Sequence, residues 1–169
     1  MEYARIQGLR GEQQFRGFMN SNGIPYLWID QETDTMATSW KSYGGKRPDA
    51  VVPSADNDVV LIDVKNRKVY TDRTDSDKRY VTLDEEDAKR LRATEQKMGK
   101  PVLLVYKGDN TTENKWYAAY LSEAMKEAVE MKDRNGKIYY MLDLKEFTNF
   151  ESMVKDGIST EGLQRQLFN

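Results

Sequence analysis

Asp63-Val64-Lys65 closes an apolar run, Val59-Val60-Leu61-Ile62, that reads as a strand. Residues two apart on a strand point to the same face, so Asp63 and Lys65 project together. A charged pair at the end of a buried strand costs free energy unless it has partners. The chain holds six acid-x-lysine triplets, ending at Lys65, Lys89, Lys97, Lys115, Lys132 and Lys145, so spacing alone selects none. Pro48-Asp49 selects the first: it is the only Pro-Asp in the chain and opens the preceding strand. A hairpin symmetric about Asp56 sets Asp49 opposite Asp63, with Cβ atoms about 5 Å apart. Facing like charges destabilise a sheet pair, and a divalent cation resolves the conflict. Two carboxylates, a backbone carbonyl and waters make a Mg²⁺ site. A register shifted by one residue would send one Asp to the opposite face.

Glu12 is a third acid of interest. It lies three residues from both Leu9 and Phe15 and interrupts the apolar stripe of the first helix. It is either a boundary residue that reaches water or an Arg, or a third acid directed at the cation.

Composition limits the chemistry from the other side. The 169 residues include no His and no Cys. That excludes disulfides, thiolate zinc, haem ligation through His, cysteine nucleophiles and the Ser-His-Asp triad. Catalysis would rest on carboxylates, lysines or hydroxyls with an oxygen-preferring metal. The 26 basic and 28 acidic residues give a net charge of −2, which leaves room for local basic patches but not for a wholly basic coat. No apolar run is long enough to span a membrane, and the start lacks a basic-then-apolar leader, so a cytoplasmic location is expected.

These residues need elements to position them. Tyr3, Ile6, Leu9, Phe15, Phe18 and Met19 predict a helix over about 3–21, stopped by Asn22-Gly23 and Pro25. Tyr26 to Ile29 predicts a short strand, and 30–46 a loop. Strands follow over 49–53 and 59–65. The charged stretch 66–83 is either a strand extension with a flap or a loop. Asp84 to Met98 predicts a helix ended by Gly99. Pro101 to Tyr106 and Trp116 to Leu121 predict strands. Ser122 is an N-cap candidate for a helix to about Met131. Lys137 to Leu144 alternates as a strand, and two short helices fit the tail from Glu146. One domain, 1–169, is expected: an α/β core over about 5–121 with a mixed central sheet flanked by helices, and a short helical C-terminal extension over about 122–169.

Glu12, Pro48-Asp49 and Asp63-Val64-Lys65, in this element order, resemble the PD-(D/E)xK nuclease superfamily with its restriction-endonuclease-like αβββαβ core. Gly11-Glu12, the loop Ser42 to Gly45 and Gly99-Lys-Pro-Val-Leu-Leu-Val before a Trp-led strand are most similar to small Holliday-junction-resolvase-like members. The charged 66–82 insertion, the longer tail and the balanced charge depart from them. The resemblance implies a Mg²⁺-dependent endonuclease, with Mn²⁺ able to substitute, that hydrolyses phosphodiester bonds in nucleic acid, DNA before RNA and branched or junction DNA among its forms. It makes Asp49, Asp63 and the Val64 carbonyl metal ligands, with Glu12 assisting. Lys65 would orient or deprotonate water, or neutralise charge. Gln96, on the following helix, is a weak further candidate, because some members use a Gln there.

Basic residues flank these acids. Lys41, Lys46, Arg47, Arg67 and Lys68 are candidate phosphate contacts, interleaved with Tyr43, Tyr70 and Tyr80. The plain alternative is a solvated loop whose charge Asp72, Asp75 and Asp77 partly cancel. Asp143-Leu144-Lys145 lacks a Pro-Asp partner and reads as a strand edge. The apolar residues Phe147, Phe150, Met153, Val154, Leu163, Leu167 and Phe168 could build a homodimer or cover the chain's own sheet. Two other functions fit the same residues: a catalytically inactive nuclease-fold module that binds nucleic acid or a protein, and a metal-dependent phosphoesterase acting on smaller substrates.

Overall fold

The computed structural model describes residues 2–31, 38–108 and 115–160. Its elements run α1 (Glu2–Ser21), β1 (Leu27–Trp28), α2 (Thr38–Ser42), β2 (Ala50–Pro53), β3 (Val59–Arg67), β4 (Tyr70–Thr71), β5 (Arg79–Asp84), α3 (Glu85–Met98), β6 (Val102–Gly108), β7 (Trp116–Tyr120), α4 (Leu121–Ala124), β8 (Val129–Lys132), β9 (Ile138–Asp143), β10 (Thr148–Asn149) and α5 (Phe150–Asp156). A six-stranded sheet has the order β1-β2-β3-β6-β7-β10, and a second sheet of four strands has the order β4-β5-β9-β8. Within the large sheet β3 and β6 are parallel and the other pairs antiparallel. Leaving aside the short α2 and the β4–β5 hairpin, α1, β1, β2, β3, α3 and β6 follow one another in the expected αβββαβ order.

The alternation of β3 divides the core. Val60, Ile62 and Val64 pack with Phe15, Met19 and Phe150, on the face covered by α1 and α5. Leu61 points the other way, into a cluster with Ala88 and Leu91 of α3 and with Val81, Leu83 and Leu142 of the second sheet. Asp63 and Lys65 share the direction of Leu61, so they emerge on the α3 side. Each fully buried large apolar side chain in these layers contributes about 1.5–3 kcal/mol relative to exposure. Tyr106, fully buried on β6, ties the two sheets together by donating from its hydroxyl to the Thr82 carbonyl at 3.0 Å.

The hairpin register is the symmetric one. Ala50 faces Ile62, Val51 faces Leu61, Val52 faces Val60 and Pro53 faces Val59. The turn pins it: Ser54 N–H donates to the Asp58 carbonyl, Asp58 N–H donates to Ser54 Oγ, and Asn57 takes the left-handed conformation at φ 58°. Helix α3 runs as predicted and ends at Gly99, whose φ of 61° supplies the left-handed cap.

Three expectations are corrected. In 66–83 the strand extension is present, since β3 continues to Arg67, but in place of a flap or a loop β4 and β5 found the second sheet. The helix expected from Ser122 to about Met131 is only the four-residue α4, followed by β8. Among the described residues the C-terminal extension is therefore mixed rather than helical, with strands β8, β9 and β10 beside short helices of which α5 is the longest. The β8–β9 hairpin closes on Asp133, which accepts from the N–H groups of Asn135 and Lys137, with Gly136 at φ 83°. Asn135-Gly136 carried that turn signal, and Val129-Glu130-Met131-Lys132 does alternate, but four exposed residues are too short a run to mark a strand by themselves.

The described part of the apolar tail covers the chain itself. Phe147 and Phe150 are buried, and Met153 and Val154 pack on the α1-side core. Leu163, Leu167 and Phe168 lie outside the described residues. Ile6 and Leu9 of the predicted α1 stripe are about half exposed, so only the later part of that stripe reaches the core.

Candidate active site

The C-terminal half of β3 brings Asp63 and Lys65 to the edge of the core, and the break of the β2–β3 ladder delivers Asp49. Asp49 precedes Ala50, the last paired residue of β2, so the observed register carries it opposite Asp63. There its side chain joins the strand edge: Asp49 Oδ2 accepts from Val64 N–H at 2.7 Å. Asp49, Asp63 and Lys65 are all buried, Asp63 completely.

Asp63 lies between two ammonium groups. Lys46 Nζ is 2.6 Å from its Oδ1, and Lys65 Nζ is 2.9 Å from its Oδ2. The Lys65 contact lacks the alignment of a hydrogen bond, so Oδ2 is a buried carboxylate oxygen without an aligned donor. Lys65 donates instead to Asp87 Oδ2 at 2.7 Å, and Lys46 lies 3.5 Å from the same oxygen. Asp87 is the acid that sequence reasoning missed. It stands in the first turn of α3 and heads one of the six acid-x-lysine triplets. Its signal was its position on the helix that covers the face of Asp63, which becomes visible only once that packing is known.

The electrostatics follow from burial and opposed charge. Burial, reinforced by the charge of Asp63, pushes Asp49 up to about 7. Burial also works to raise Asp63, but Lys65 and Lys46 outweigh it and hold that carboxyl below its ordinary range. Asp87, where burial is likewise outweighed by the two lysines, is lowered to about 2. Burial works to lower Lys65, yet Asp63 and Asp87 raise it, so its ammonium stays charged. The two strand acids therefore sit unequally: Asp63 is a fixed anion, while Asp49 is held back from ionising by burial and then by its neighbour.

Glu12 approaches from α1. Gly11 lets the helix close on β3, since a Cβ there would lie 2.7 Å from Asn66 Cβ. Glu12 is partly buried, and burial raises its carboxyl, with Lys46 and then Asp63 as the strongest charged influences. It thus belongs to the electrostatic environment of the pair. It does not close with Asp49 and Asp63 into a cage: among the described residues no group of three acids is gathered tightly enough to hold a metal ion.

The remaining candidates scatter. Lys46 faces Asp63 rather than solvent. Arg67 lies 3.9 Å from Asp84 with its side chain 43 % exposed, and exposed Lys68 sits over the Tyr70 ring. Arg47 is partly buried beside the site. Lys41 falls on α2, but its side chain lies outside the described residues. Gln96 is exposed, a correction with a simple cause: the pitch of α3 turns the adjacent Thr94 and Glu95 inward and Gln96 out to solvent. Tyr80 is core, and Tyr43 and Tyr70 are exposed. Asp143 caps the 3₁₀ turn Leu144–Glu146 by accepting from Lys145 N–H, a structural role.

The core keeps the αβββαβ order, with β2 antiparallel and β6 parallel to the central β3. Among solved structures, the chain is similar to the Holliday junction resolvase Hjc of Archaeoglobus fulgidus, an archaeal hyperthermophile. The two are 15 % identical over 93 % of this chain and 99 % of that one, with a TM-score of 0.49. No family model and no curated protein matches the sequence.

Proposed function

We propose that the chain is a divalent-metal-dependent endonuclease that hydrolyses phosphodiester bonds in DNA, with branched or junction DNA as one candidate form. The observation that carries this reading is the pair of opposed, buried carboxylates Asp49 and Asp63 with Lys65 beside them. Opposed acids stripped of water repel, and Asp63 Oδ2 has no aligned donor, so the pair is chemically suited to a hard cation. Asp49, Asp63 and the Val64 carbonyl would hold Mg²⁺ or Mn²⁺, with Glu12 acting at longer range. When bound, the metal supplies Lewis acidity and lowers the pKa of water.

The chain's own residues do the rest. Lys65 is fixed by Asp63 and Asp87 and stays protonated, which suits it to orient water and neutralise developing phosphoryl charge rather than to act as a base. Arg47 and the exposed Arg67 and Lys68 supply positive charge near the strand ends for the DNA backbone. The complete set of Asp49, Asp63 and Lys65 supports this reading over an inactive module, which would be expected to lose at least one of them.

Purified protein incubated with linear, branched and single-stranded DNA and with RNA, in Mg²⁺, Mn²⁺ or EDTA, tests the proposal. Cleavage of DNA is expected with metal and not with EDTA, and it should be lost in Asp63→Asn and Lys65→Met. Equal cutting in EDTA, or in the variants, would sink the mechanism.

A further inference from the structure

We propose that Lys46 is a built-in counter-ion, seated on Asp63 in the metal-free protein and displaced when a divalent cation binds. The inference rests on the reading of Asp49 and Asp63 as the cation site and assigns Lys46 a role other than a standing phosphate contact.

The seat is built, not incidental. Lys46 N–H donates to Thr94 Oγ1 at 3.0 Å and lies 3.2 Å from the Arg90 carbonyl, while Thr94 Oγ1 donates to the Lys46 carbonyl at 2.6 Å. Thr94 is fully buried. The preceding Gly45 is packed so closely that a Cβ would meet Thr94 Oγ1 and the Trp40 ring at 3.2–3.3 Å. These contacts fix the Lys46 backbone on α3 and aim its ammonium at Asp63 Oδ1, 2.6 Å away.

A metal ion binds a carboxylate oxygen at about 2.0–2.1 Å. A cation on Asp63 would meet an ammonium at either oxygen, Lys46 at Oδ1 or Lys65 at Oδ2, and would repel it at contact distance. One must leave, and the two lysines differ in which can. Lys65 has a second partner, Asp87, at 2.7 Å and a side chain only 8 % exposed. The Lys46 side chain is 23 % exposed, and Asp87 lies 3.5 Å from it, so it has room to withdraw toward solvent. Its anchored backbone keeps the released ammonium beside the metal, where a phosphate would arrive.

Titration calorimetry with Mg²⁺ and with Mn²⁺, without DNA, tests this on the full chain, alongside melting curves with and without metal. Removing the competitor in Lys46→Met should tighten metal binding about tenfold, the equivalent of roughly 1.4 kcal/mol. The same variant should melt lower without metal and gain more on saturation. Lys46→Gln, which keeps a polar end and loses the charge, should behave alike, whereas Lys46→Arg should keep the wild-type affinity. Unchanged or weaker metal binding in both neutral variants would overturn the inference. Asp63→Asn separates the two ideas. If wild type binds, Asp63→Asn does not, and the neutral variants show no gain, only the counter-ion role fails. If Asp63→Asn binds like wild type, or if no variant binds at all, the cation site fails and the counter-ion with it.

Discussion

Asp63 carries a full charge with no solvent contact because two lysines and the strand edge surround it. Removing one partner of such a buried set costs far more than the set contributes, because the other charges are left unmatched. Asp87 illustrates the point. It lies 3.5 Å from Lys46 and holds Lys65 at 2.7 Å. A hydrogen bond between charged groups is worth about 1.5–3 kcal/mol. Asp87→Asn should therefore slow DNA cleavage about tenfold or more by loosening Lys65. DNA affinity, measured separately, should change little. A variant that cuts at the wild-type rate would show that Lys65 is positioned by Asp63 alone.

At the scale of elements, two close fits govern the site. Gly11 is where α1 crosses β3, and a methyl group there would meet Asn66 Cβ at 2.7 Å. Gly11→Ala should destabilise the fold by about 1–3 kcal/mol, the usual cost of overpacking, and displace Glu12. Chemical denaturation of the single variant and of Gly11→Ala with Asn66→Gly checks the cause, since only relief of this contact would make the pair less than additive.

Helix α3 is tied to β6 by Glu95, whose Oε1 accepts from Val102 N–H at 2.8 Å. Burial pushes this carboxyl up to about 7, from 4.5. The folded state thus holds its proton more tightly than the unfolded state. The stabilisation is complete below pH 4.5 and lost as pH rises through about 7. Glu95→Gln keeps an acceptor without the charge. It should exceed wild type in stability by about 1–3 kcal/mol at pH 8, with the advantage vanishing near pH 4 in urea titrations.

For the molecule as a whole, the second sheet is what most changes the picture of a compact 5–121 core. Strand β5 lies before α3 and its partner β9 lies beyond β7, so residues on either side of the core sequence complete one layer. Leu142, fully buried, joins Val81, Leu83 and Leu91 in that layer. Leu142→Ala should cost about 2–5 kcal/mol in denaturant unfolding, although it lies in the supposed extension. A loss below 1 kcal/mol would mean that this layer is peripheral. The near-neutral net charge sets the last expectation: DNA binding rests on local cations at the strand ends and should weaken steeply with salt. Affinity independent of salt would remove those residues from the interface.

The sequence by itself determined the features that depend on near neighbours and period. The alternation of β3, the turn residues Ser54 to Asp58 and the left-handed stop at Gly99 are local, and the Asp49–Asp63 register followed from hairpin symmetry. The lack of His and Cys excluded whole classes of chemistry on composition alone. Tertiary structure decided whatever depends on which element covers which face. It brought Asp87 from the first turn of α3 onto Lys65, turned Gln96 away, and seated Lys46 on Asp63. It also paired β5 with β9 across more than 50 intervening residues. None of these has a signature in sequence spacing, because an ion pair or a strand pairing between distant segments is set by how the layers pack, and packing energy is not periodic along the chain.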